Sequence, residues 1–145
     1  MAGMTIIVKK ITQLIAGLIF VFGLYIVLHG HLSPGGGFAG GALMAGAFIL
    51  LVLSNGSAYL TVVQKEKGSA RLESAAVLSF AVLAVTAGLH GGMVFFQNFL
   101  NPGTAGRFFS AGIIPVYNLL IGIEVASALL TIFYAFVIYK EELSR

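Results

Sequence analysis

Cysteine is absent from this chain, and charge is scarce. Without a thiol there can be no disulfide, thiolate metal site or iron–sulfur ligation within it, so any redox chemistry has to sit on a partner. Charged residues are 9% of the sequence, against about 25% in soluble domains, too few to clothe a surface facing water. Acidic residues are the scarcer sign, 5 against 8 Lys and Arg. The resulting pI of 9.4 is no nucleic-acid signal; it reflects Lys and Arg kept at one membrane face. Also missing are a nucleophile-and-base pair, a metal-ligand set and a phosphate loop. An enzyme acting alone is therefore not expected, nor is a cofactor or metal.

What the chain does have is apolar length. Hydrophobic residues make up 59%, the mean hydropathy is +1.02, and they gather in blocks over residues 11–28, 38–63, 72–96 and 113–139. At about 1.5 Å per residue each block can cross a hydrocarbon core of roughly 30 Å, the first only just. The first block follows Lys9 and Lys10 as in a signal peptide, but it exceeds the usual h-region of about 7–15 residues and no cleavage site follows, so it reads as a retained helix. The expected fold is all-α, a four-helix membrane bundle forming a single domain over 1–145. Lys9, Lys10, Lys65, Lys67, Arg71, Lys140 and Arg145 fall at the termini and in the second connection, with Arg107 alone on the other side. That bias places both termini in the cytoplasm and the chain in the cell membrane.

Residues 29–41 form a turn running straight into a helix. Pro34, Gly35, Gly36 and Gly37 allow tight turning, and Gly37, Gly41 and Ala45 recur every four residues as a smooth face. Helix packing is the favoured reading of that face, and anion binding at the helix start is the alternative. His29 and His31, without cysteine or a nearby carboxylate, suit the headgroup boundary better than a metal shell.

Two polar helix faces carry the remaining chemistry. Ser79, Thr86, His90 and Gln97, spaced by 7, 4 and 7 residues, fall within roughly 20° of one line on the third helix and form one polar stripe. Glu124 lies within about 3 Å of the middle of the last block, where a charge costs about 2.5–3.5 kcal/mol. Tyr117, Ser127 and Thr131 share its side, which should face protein. Glu124, His90, Thr86, Ser127 and Thr131 are the candidate proton or cation path, with Glu124 and His90 expected in a shared pocket; a structural glutamate at a subunit interface is the other reading. Ser54, Asn55, Gly56 and Ser57 interrupt the second block, either as a broken helix or because the spanning part ends near Leu53. Glu73 beside Arg71 reads as a boundary charge, and Arg107 with Phe108 and Phe109 as an interfacial segment.

The stretch containing His29, His31, Ser33, Pro34, Gly35, Gly36, Gly37, Phe38 and Gly41 resembles the signature loop of the MnhB family, one of the membrane subunits of Mrp-type multisubunit cation/proton antiporters. Asn118 to Glu124 looks like that family's last helix. The resemblance implies a subunit working beside other membrane subunits, surrounded by lipid, in an assembly that moves Na+ or another monovalent cation against H+. Similar MnhB-like subunits occur in archaeal membrane-bound hydrogenases and sulfane sulfur reductase, so a purely structural adaptor in such an ion-pumping arm is the alternative. The family implies no redox centre here and no settled role for Glu124.

Overall fold

Each apolar block forms one helix, because in lipid a backbone N–H or C=O has no water to turn to. The computed structural model describes residues 4–56, 66–91, 95–108 and 110–143, with the side chains of all but 66, 67, 87, 90, 91 and 141–143. The helices are α1 (Ile6–His29), α2 (Gly37–Asn55), α3 (Glu66–Gly91) and α4 (Ile114–Leu143), and the described residues include no strand. All four are long and apolar enough to cross a membrane.

Helix ends depart from the apolar blocks where side chains or glycine close the backbone. α2 stops at Asn55, not at 63: Ser54 Oγ and Asn55 Nδ2 both donate to the Leu51 carbonyl, and Gly56 takes φ 79° while its N–H reaches Val52 O. The rest of that block, from 57, lies outside the described residues. α3 ends at Gly91, short of 96, and Phe96 turns back at φ 61° with its N–H directed at Ala84 O (3.4 Å). α1 and α3 begin before their apolar blocks, at Ile6 and Glu66, since a helix continues into the boundary where Lys and Arg side chains reach water. At the start of α4, Asn98 Oδ1 accepts the Ile113 N–H at 3.1 Å. Gly112, at φ 61°, is pressed against the Asn98 side chain, leaving no room for a Cβ.

α2 is the centre: 39% of its span is buried, against 17% for α1, 11% for α3 and 22% for α4. It runs antiparallel to α1, with Gly40 over the Gly23 carbonyl and Phe20 edge-on to Phe48 at 5.6 Å. It runs parallel to α4, with Gly37 against Asn118 and Ile121, and Gly41 against Gly122 and Val125. The start of α1 and the end of α4 lie at the same end, where Met4 N–H donates to Ser54 O and Val52 packs on Tyr134 and Val137. Among the described helices α3 packs chiefly on α4, making the bundle a triad with a fourth helix laid along one side.

The triad depends on absent side chains. A Cβ on Gly40 would meet Val27 and, at 2.6 Å, the Gly23 carbonyl; one on Gly41 would lie 2.6 Å from the Gly122 carbonyl. Backbone cannot swing aside as a flexible side chain can, so the helices would have to part. Gly40→Ala and Gly41→Ala should each destabilise the chain by about 1–3 kcal/mol. Gly17→Ala and Gly46→Ala, where nothing lies within 4 Å, should be neutral or gain up to about 1 kcal/mol of helix propensity. Thermal unfolding in detergent reads the contrast, and equal losses at all four positions would contradict the packing.

Candidate functional site

The turn between α1 and α2 is built around one carbonyl and one asparagine. His29 O accepts the N–H groups of Leu32 (2.8 Å) and Ser33 (2.9 Å) and the Ser33 hydroxyl (3.2 Å), closing α1 before Pro34 turns the chain. Gly35 (φ 144°) and Gly36 (φ 91°) then adopt backbone that favours glycine. Asn118 of α4 lies beneath the turn, its side chain within 2.8 Å of where a Gly30 Cβ would stand and 3.4 Å from the equivalent point on Gly36. Phe38 takes no part in this packing: it points outward, 70% exposed.

Both turn histidines act as ties. His29 Nδ1–H donates to Tyr25 O at 3.1 Å, and its ring stacks on Tyr25 and meets Phe108 edge-on. His31 Nε2–H donates to Phe108 O at 3.0 Å, since a carbonyl can only accept, while its Nδ1 is buried with no partner among the described residues. They fasten the turn to the segment between α3 and α4. Among the described residues no group of three or more His, Cys, Asp or Glu could hold a metal ion.

The second polar region is the seam between α3 and α4. Tyr117 meets Phe80 edge-on, ring centroids 5.0 Å apart, and Phe96 at 5.8 Å. Two turns beyond Glu124, the Thr131 hydroxyl lies 3.0 Å from that of Ser69. Ser127 is 2% exposed and its hydroxyl donates to the carbonyls of Ile123 and Glu124. Glu124 is half-buried, and among the described residues its carboxylate has no hydrogen bond or ion pair. Tyr117, Ser127 and Thr131 thus spend their bulk or hydroxyls locally, and the costly group of the face is left without a partner.

The Tyr117–Phe80 and Thr131–Ser69 contacts set the register of the seam. Glu124 is seven residues from both Tyr117 and Thr131, so it stands level with α3 between Phe80 and Ser69, near the buried Ala76. His90 is ten residues from Phe80 in the opposite direction, which puts it about 25 Å along the axis from Glu124. Thr86, whose hydroxyl donates to Leu83 O, is about 20 Å away by the same count. The expected shared pocket of His90 and Glu124 is therefore not formed, because α3 extends past the start of α4 and equal depth in the two apolar blocks does not mean equal height. The polar line on α3 also falls short: Gln97 lies beyond the helix, and Ser79 faces outward with its hydroxyl on Ala75 O. Ser69 and Asn118 are the seam and turn residues that spacing alone does not single out. Ser69 sits before the apolar block of α3, and only the α4 contact marks it.

Residues 7–131 match the family model described as a domain related to the MnhB subunit of Na+/H+ antiporter. An uncharacterized protein of Methanocaldococcus jannaschii is 36% identical over 132 residues, 88% of this chain and 50% of that protein. The antiporter subunit mnhB2 of Staphylococcus epidermidis is 39% identical over 49 residues, 34% of this chain and 35% of its own length. A chain in the structure of the membrane-bound sulfane sulfur reductase, an archaeal respiratory membrane complex, superposes with TM-score 0.72 at 30% identity, covering 89% of this chain and 56% of that one. The chain thus spans about half the length of the archaeal relatives it matches.

The lack of native cysteine makes the seam register directly testable. Ser69→Cys with Thr131→Cys should cross-link readily under mild oxidation, whereas His90→Cys with Glu124→Cys should not, because Cα atoms more than about 7 Å apart cannot be bridged. Gel mobility after protease cleavage between α3 and α4 reports both. Efficient joining of the second pair would reinstate the shared pocket.

Proposed function

We propose, for a chain that belongs to the family of domains related to the MnhB subunit of Na+/H+ antiporters, that it serves as one membrane subunit of an assembly exchanging a monovalent cation, Na+ above all, for protons. Glu124 carries the reading. A carboxylate within a spanning helix costs about 2.5–3.5 kcal/mol, and here no described residue offsets it. Such a group either takes up and releases protons or meets a cation brought by a neighbour, and both roles belong to an assembly. The outward faces agree with this: Leu14, Leu18 and Phe22 of α1, Leu78 of α3 and Phe136 of α4 are all more than half exposed, which leaves room for lipid and for other membrane subunits.

The chain does no chemistry beyond ion and proton handling, and it resides in the cell membrane. The ends of α1 and α4 that carry Lys9, Lys10 and Lys140 face the cytoplasm, with Arg107 on the other side. A second reading is favoured by one finding, the 30% identity to a chain of a respiratory complex: a structural adaptor that holds the ion-pumping arm of such a complex together. The two readings divide on whether Glu124 titrates.

Glu124→Gln keeps the shape and removes the proton. If the carboxyl relays protons, cation-driven proton movement in vesicles bearing the assembled complex should fall on the order of 10²-fold, with subunit content unchanged on native gels. Full-rate transport would leave the adaptor reading in possession. A reporter active only outside the cytoplasm, fused after Arg145, should be silent, and activity there would reverse the orientation.

A further inference from the structure

Between the end of α1 and the start of α4, the connection that follows α3 leaves an open groove of about 490 Å³. Its character changes along its length. Leu28 of α1 and Val116 and Leu119 of α4, all exposed, line the part that runs along the helices, while Asn101 and Ser110 line the part formed by the connection. Arg107 stands at that polar rim: its carbonyl accepts the Ser110 hydroxyl at 2.6 Å, and the next residue, Phe108, is itself a wall of the groove. Asn101 Oδ1 accepts the Gly103 N–H at 3.0 Å, so the NH2 of its amide is left to donate elsewhere. Arg107 is exposed, with no ion pair among the described residues. No Asp or Glu lies in the sequence between Glu73 and Glu124, so a countercharge at this height has to come from outside the chain.

We propose that this groove binds an anionic phospholipid, its phosphate on Arg107 and Asn101 and the upper part of an acyl chain between Leu28 and Leu119. An apolar trough ending at a guanidinium and an amide has the polarity of an amphiphile. A free phosphate would meet the rim and leave the leucines uncovered; an apolar helix of a neighbouring subunit would cover the leucines and leave the cation unmet. Arginine suits the task because its planar fork holds two phosphate oxygens at once. Ser110 is a positioning residue, holding the Arg107 carbonyl and with it the side chain at the rim. Phe108 O also accepts the His31 Nε2–H, so the lipid lies against the tie that fastens the α1–α2 turn to the connection. The site does not depend on the transport role of Glu124.

Photolabelling of the assembled complex in phosphatidylcholine nanodiscs tests this. Phosphatidylglycerol and phosphatidylcholine probes, each with a diazirine in the upper acyl chain, are added at equal small mole fractions, and label on residues 113–119 is read by mass spectrometry. The phosphatidylglycerol probe should label this segment several-fold more than the phosphatidylcholine probe. Arg107→Gln should abolish that preference, and Arg107→Lys, which keeps the charge and loses the fork, should retain part of it. Leu119→Trp, which fills the trough, should lower labelling by both probes. Equal labelling by the two probes in the unaltered chain, or a preference that survives Arg107→Gln, would overturn the site. Absence of label from either probe would mean that a neighbouring subunit covers the groove, and would overturn it equally.

Discussion

The close approach of three backbones at Gly40 and Gly41 is the constraint from which the rest of the structure follows. These glycines are adjacent in sequence, so the directions their side chains would take differ by about 100°. One therefore admits α1 at Gly23 and the other admits α4 at Gly122. Lipid offers no hydrophobic drive for helices to associate, and dense contact between smooth faces has to supply the attraction. The contact also fixes rotation. With Gly122 turned toward α1 and α2, Glu124, two residues on, points about 200° away, out of the triad and toward α3. The glycine face thus aims the carboxylate even though it does not touch it.

α3 is held by different means. Its contacts with α4 run through rings at Tyr117, Phe80 and Phe96 and through the hydroxyls of Thr131 and Ser69, and only 11% of its span is buried. Hydrogen bonds between membrane helices contribute about 0.6 kcal/mol on average, so this joint is weaker than one made by interlocked backbone. α4 carries both kinds of surface, one on each side.

Much of this is legible in the sequence, and what is not has a physical reason. Four spans and the small-residue face of α2 follow from composition and period, and those properties belong to single helices. The end of α2 is decided by Ser54, Asn55 and Gly56 acting on individual carbonyls, which hydropathy does not register. The end of α3 short of 96 comes inside a run that stays apolar. Period also gives the angle of a residue about its helix without its height against a neighbour. Angle groups Tyr117, Glu124, Ser127 and Thr131, and the structure sets Tyr117 and Thr131 of these against α3. Depth within the apolar blocks pairs His90 with Glu124, and the register set by Phe80 and Ser69 separates them by about 25 Å.

Because the two faces of α4 are governed by different physics, they answer differently to change. On the glycine side any added atom meets backbone, and the damage reaches the fold first and function through it. On the seam side the chain carries polar groups that an apolar residue of similar shape could replace with a gain in stability: among the described residues, Tyr117 has no partner for its hydroxyl and Glu124 none for its carboxylate. Packing alone gives no reason to keep them, since the rings would stack as well without the phenol and the helix would sit in lipid more cheaply without the acid.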